Sequence, residues 1–98
     1  MATIVKCGNQ KSTENVKPIK KIFKRDEIKK LLNCEDFKVQ QILDNKSIIY
    51  RDHTHYNSNL VENQMASLIL NSNLKTNITI YGDALICETK QIDIELLR

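Results

Sequence analysis

The sequence predicts an α+β domain, a mostly antiparallel sheet of five to six short strands with two short helices packed on one face. Three patterns carry that expectation. Residues 26–33 place Ile28, Leu31 and Leu32 at i, i+3, i+4, the repeat of an amphipathic helix. Residues 37–51 read as two strands joined by a polar turn. Residues 63–88 join a second helical stripe to two apolar extended runs that meet at Gly82-Asp83.

Each element has its own justification. Residues 3–7 are rich in β-branched side chains and end at Gly8-Asn9, a turn signal, which predicts a first strand. Residues 10–15 are polar and read as a loop. Residues 16–22 alternate loosely, and Pro18, which has no N–H to give a ladder, confines them to an edge strand. In the helix that follows, Asp26 and Glu27 stand in the first turn, where the helix dipole favours anions, and Asn33 supplies a stop signal. Phe37, Val39, Gln41 and Leu43 then alternate with Lys38, Gln40 and Ile42 as one strand of a hairpin. A turn over residues 44–47 leads to the return strand Ile48-Ile49-Tyr50-Arg51.

Residues 52–59 are polar and carry His53 and His55. Leu60, Val61, Met65, Leu68 and Ile69 repeat at helical spacing, with Asn57, Ser58 and Asn59 as candidate caps. Met65 and Leu68 are expected to enter the core beside Leu31 and Leu32. Residues 71–77 read as a loop. Ile78 and Ile80, then Ala84-Leu85-Ile86-Cys87, predict strands on either side of Gly82, where a lone glycine suggests a bulge or a close backbone approach. Ile92, Ile94 and Leu96 alternate with Asp93 and Glu95 as a half-buried terminal strand whose charges discourage edge pairing.

Composition sets the bounds. The 98 residues form a single domain, 1–98, and a chain of this size buries roughly 60–68% of its unfolded surface, enough for one modest core. With 41% apolar and 28% charged residues, two Gly and one Pro, collagen-like, linker-like and low-complexity classes are excluded. No apolar run approaches the roughly 18 residues of a membrane span, and the first residues lack the apolar middle of a signal peptide, so the chain is expected inside the cell and away from membranes. Cys7, Cys34 and Cys87, an odd set without close spacing, are expected as small buried or half-buried residues and not as a disulfide framework. Charge is uneven: nine Lys/Arg stand against three Asp/Glu through Lys30, and six against nine from Leu31 onward. An anion-facing surface therefore belongs to the first third of the chain.

Asn63, Ala66, Ile80, Gly82, Asp83, Leu85 and Ile86 spell a pattern of the form Asn-x-x-Ala … Ile-x-Gly-Asp-x-Leu-Ile. On that pattern, together with residues 4–6, 28–32 and the hairpin over 37–50, the chain resembles a small family of phage, bacterial and large-DNA-virus proteins whose activity is not established. The resemblance implies a viral or mobile-element origin, with the host cytoplasm or nucleus as its place of action, more than it implies a chemistry.

The densest cationic run is Lys17, Lys20, Lys21, Lys24, Arg25, Lys29 and Lys30. It is either a solvated strand and helix face or an anion site, since phosphate neutralisation supplies most non-specific nucleic-acid affinity. Only Phe23 lies among these charges, so no aromatic platform for stacked bases is evident. His53 and His55, at i, i+2 on a strand, would share one face and could hold a metal or move a proton, but a full ligand set at metal-site spacing is absent. Asp83 is expected to bond backbone in a tight turn, and Asn63 to satisfy a loop backbone group or else contact a ligand. There is no P-loop, dinucleotide-binding turn, nucleophile elbow or zinc-protease motif.

The expectation is therefore a non-enzymatic binding or interaction protein without cofactor, metal or catalytic residues. It would act as a homo-oligomer with a protein partner, and Lys20, Lys21, Lys24 and Arg25 would form the anion-contacting surface. One alternative is an oligomer that sequesters a phosphate-bearing nucleotide signal of host defence between subunits. Its site would combine the basic residues with His53, His55 and Asn63, and Tyr56 or Tyr81 would stack on the base. A nucleic-acid-binding accessory protein comes next, and a hydrolase using His53 or His55 last.

Overall fold

The structure, a computed structural model, describes residues 2–7, 13–52, 61–93 and 96. Its strands are β1 (Ala2–Val5), β2 (Thr13–Val16), β3 (Phe37–Leu43), β4 (Lys46–Arg51) and β5 (Ala84–Glu88). Helix α1 (Arg25–Leu32) follows β2, and helix α2 (Gln64–Leu74) precedes β5. All five strands form one sheet in the order β2-β1-β5-β4-β3, and every neighbouring pair is antiparallel. The α+β class with a mostly antiparallel sheet is thus as the sequence predicts.

The register explains where the helices go. Ile4 lies opposite Leu85, Leu85 opposite Ile49, and Ile49 opposite Val39, so these four share one face. Ile28 and Leu32 of α1 pack there with Phe23 and Ile92. The alternate residues Val5, Ala84, Ile48 and Tyr50 point to the other face, where Ala66 and Leu70 of α2 pack with Ile80. The expectation that both helices cover one face is therefore corrected: the sheet is the middle layer of three. The physical reason lies in the central strands. Ser47-Ile48-Ile49-Tyr50 of β4 are all buried, as are Ala84, Leu85 and Cys87 of β5. A strand with consecutive buried residues needs cover on both sides.

Other elements shift in instructive ways. The edge strand expected over 16–22 is instead β2, which takes Thr13, Glu14 and Asn15 from the expected loop and stops at Val16, two residues before Pro18. The turn of the β3–β4 hairpin is the pair Asp44-Asn45, not four residues, because Leu43 already pairs with Lys46. Between Gln41 and Leu43 the register shifts, leaving Ile42 as a bulge residue. Ile42 lies on the face of Lys38 and Gln40, which stand opposite Tyr50 and Ile48, and packs there under α2, whereas Leu43 past the bulge is 52% exposed.

Helix α2 begins after Asn63 and continues through Leu74, so Val61 lies outside it and residues 71–74 are helical. The candidate caps Asn57, Ser58 and Asn59 fall outside the described residues. Met65 is half-buried, but Leu68 is 67% exposed, contrary to its expected place in the core. The helix turns Asn63, Ser67 and Asn71, spaced i, i+4, i+8, toward the segment that returns to β5. These three act as a substitute strand edge. Asn71 accepts from the Ile78 N–H at 2.9 Å and donates to its carbonyl at 2.8 Å. Ser67 Oγ accepts from Ile80 N–H at 2.8 Å, and Asn63 N–H donates to the Ile80 carbonyl at 2.7 Å. Ile78 and Ile80 are therefore extended without being a strand of the sheet. Past β5, a 3-10 turn over Thr89–Gln91 leads into the residues of the expected terminal strand. Ile92 makes one parallel bridge to Phe23, while Ile94 and Glu95 lie outside the described residues.

Candidate functional site

The cationic run lies in two pieces, a connector over residues 17–24 and the exposed side of α1. The connector is shaped from both ends. Phe23 is fully buried, and its N–H donates to the Gln91 carbonyl at 2.6 Å. At the other end Glu27 Oε2 accepts from Ile19 N–H at 2.9 Å, while Oε1 accepts from Lys24 N–H at 3.5 Å. One carboxylate in the first turn of α1 thus clamps the connector and helps cap the helix. Between the clamps, Ile22 N–H donates to Lys20 C=O at 2.7 Å across Lys21, which takes φ +66°. This is a γ-turn on a non-glycine residue in left-handed space, a rare and strained conformation.

The consequence is an exposed ridge. Ile19 is 84% exposed, the most exposed of the large apolar side chains among the described residues. It stands between two open grooves. One, of about 650 Å³, runs along α1 and is lined by Ile19, Ile22 and Leu31 with Lys17, Lys20, Lys24 and Lys30 at its margin. The other, of about 1080 Å³, lies toward β2 and the 3-10 turn, with Val16, Pro18 and Ile22 on its walls.

The expected anion surface is brought together here in part. Lys20, Lys21, Lys24 and Arg25 are all exposed on this one segment. Two are already engaged: Lys24 Nζ lies 3.6 Å from Asp93, and the Arg25 guanidinium sits over the Phe37 ring at 5.7 Å from its centroid. Ile19 was not among the residues the sequence marked, and Glu27 was marked only as an acid of the first helical turn. The legible signal was an isoleucine between Pro18 and a lysine pair, left without a partner once the proline stops the strand.

The remaining expected residues sit elsewhere. His53, His55 and Tyr56 lie outside the described residues. Asn63 and Tyr81 meet at the N-terminal end of α2, the helix across the sheet from α1; Tyr81 bridges Glu62. Asn63 is only 1% exposed, and its side chain serves the backbone. Its Oδ1 accepts from Ala66 N–H at 3.0 Å, and its Nδ2 donates to Val5 C=O at 2.8 Å and Gly82 C=O at 2.9 Å. Asp83 does not close on its own turn. Its Oδ1 accepts from Cys7 N–H at 3.0 Å, and its Oδ2 lies 3.5 Å from Lys6 Nζ, which also reaches Glu14 at 3.4 Å. Gly82, at φ +76°, makes the turn into β5; a Cβ there would meet open space, so conformation and not crowding calls for glycine.

The cysteines are free. Burial pushes the Cys87 thiol up to about 12, and burial likewise raises Cys34 and, aided by Asp83, Cys7. All three are held as thiols at neutral pH, without the thiolate character of an activated nucleophile. Among the described residues no three His, Cys, Asp or Glu side chains gather as a metal site, and no helix is long and apolar enough to cross a membrane.

Comparison with known protein families, curated proteins and solved structures returns no match for this chain. What fold and surface define is a class: a three-layer α+β protein that presents a lysine-ringed apolar ridge.

Proposed function

We propose that the chain is a small non-enzymatic binding protein of viral or phage type, working as a homo-oligomer in the host cytoplasm or nucleus, with residues 17–30 as the face that meets an anionic protein partner. The observation that carries the reading is Ile19, exposed at the crest of the densest group of cations. Apolar contact supplies affinity that charge alone does not, and charge supplies orientation and rate of encounter. Self-association draws support from the sheet. Strands β2 and β3 are its edges, each with one side unpaired among the described residues, and such edges favour being covered. The viral or phage type rests on the pattern from Asn63 to Ile86.

The test is a ligand panel on the native protein, followed by sizing. No nucleotide is expected to raise Tm, mixed oligonucleotides are expected to bind weakly, and light scattering is expected to show more than a monomer. A nucleotide that raises Tm and is released intact on heating would replace this reading with the sequestering one. Tight oligonucleotide binding that falls steeply with salt would replace it with the nucleic-acid one.

A further inference from the structure

We infer that residues 17–24 and the adjoining side of α1 are the seat of an acidic polypeptide segment with one apolar side, which lays aliphatic side chains against Ile19, Ile22 and Leu31 while its carboxylates reach Lys17, Lys20 and Lys30. This deepens the proposed function and rests on its claim that a protein is what this face meets.

The choice of occupant follows from charge and from the floor of the groove. Lys17, Lys20 and Lys30 are exposed, and none is paired with a carboxylate among the described residues, unlike Lys24 and Lys6. Three uncommitted ammonium groups around one groove call for a partner with several negative charges. The floor decides which polyanion. Ile19, Ile22 and Leu31 are aliphatic, so a phosphate chain would gain nothing from covering them, and there is no exposed ring among them for a base to stack on. Asp26 and Glu27 line the same groove and would face a phosphate chain directly. A peptide avoids that conflict because its acids can be spaced to reach the lysines while its apolar side takes the middle.

The seat is also built before the partner arrives. The Glu27 clamp on Ile19, the Phe23 anchor and the Lys24–Asp93 pair fix the ridge from three directions. A fixed ridge loses little conformational freedom on binding, which favours a short segment of modest contact area.

Fluorescence anisotropy with the whole chain tests this, using three labelled probes. One is an acidic peptide carrying Leu at i, i+3, i+4 spacing. The second is the same peptide with each Leu replaced by Ser, and the third is a mixed single-stranded oligonucleotide. The first should bind in the micromolar range, and the second about tenfold more weakly or worse, as expected for loss of buried aliphatic area. Ile19→Ser, at a surface position that leaves the fold intact by Tm, should weaken the first peptide by about tenfold. Lys20→Ser with Lys30→Ser should weaken both peptides and flatten their salt dependence. Equal binding of the two peptides, or indifference to Ile19→Ser, overturns the apolar seat while leaving a basic protein-facing surface in place. Binding of the oligonucleotide alone, or of no probe at millimolar concentration, removes the protein-partner reading as well.

Discussion

Asn63 does three things with one amide. It caps α2, holds the end of β1 through Val5 and holds the turn into β5 through Gly82. Replacing it with Ala leaves one buried carbonyl, one part-buried carbonyl and one helix N–H without these partners. We expect Asn63→Ala to cost about 3 kcal/mol in urea unfolding, since each buried group left unsatisfied costs roughly 1–3 kcal/mol. The pattern from Asn63 to Ile86 therefore has a structural explanation: Asn63 with Gly82 is a clasp, and Asp83 secures the chain beyond β1.

Cys87 sets a second expectation at the residue scale. Its folded thiol is raised to about 12 from an ordinary 9.0. Between those values the unfolded chain loses a proton that the native protein keeps, so stability falls as pH rises. The contribution is whole below pH 9.0 and is lost as pH climbs through about 12, on the order of a few kcal/mol. Burial raises Cys34 and Tyr50, and Lys6 is raised first by Asp83, so these act in the same direction. Chemical denaturation of Cys87→Ala across the alkaline range should show a shallower decline than the native chain.

Among the elements, the β3–β4 hairpin carries one extra residue just before its turn. With Ile42 bulged, Gln41 Nε2 donates to the carbonyls of Leu43 at 3.1 Å and Asp44 at 3.0 Å, bracing the turn. Ile42 is part of the core under α2, and Leu43 is exposed. We expect Ile42→Ala to destabilise by about 2 kcal/mol and Leu43→Ala by less than about 0.5 kcal/mol, read from paired denaturation curves. Helix α1 was legible because its charges and apolar positions agree with its caps: acids in the first turn, lysines in the last, and Asn33 in the left-handed C-cap conformation. The connector before it was not. Its exposed Ile19 depends on where β2 stops and on how Phe23 is anchored to Gln91, neither of which any local period records.

At the scale of the molecule, the sequence made class and strand content legible and left the layering hidden. Alternation in residues 37–41 and the helical stripes identify elements one at a time, but nothing local says on which side of a sheet a helix lands. The overlooked signal was the unbroken apolar character of Ile48-Ile49-Tyr50 and residues 84–87, which marks strands covered twice. The cations of the candidate surface were legible from charge density, whereas its aliphatic crest required the fold. Double cover also predicts where the structure opens last. Amides of β4 and β5 should exchange with solvent most slowly, close to the limit set by global unfolding, and those of edge strand β2 much faster; hydrogen exchange read by NMR checks the order.

The position of β5 bears on how the chain is made. It lies between β1 and β4, although some eighty residues separate Ile4 from its neighbour Leu85. On the ribosome, β1 with β2 and β3 with β4 can each pair soon after they emerge, whereas the two hairpins join only when residues 84–88 leave the exit tunnel. Two-stranded ribbons are marginal alone. Translation therefore holds the nascent chain as two unfinished halves, and the arrival of one five-residue strand closes them into a single cooperative unit.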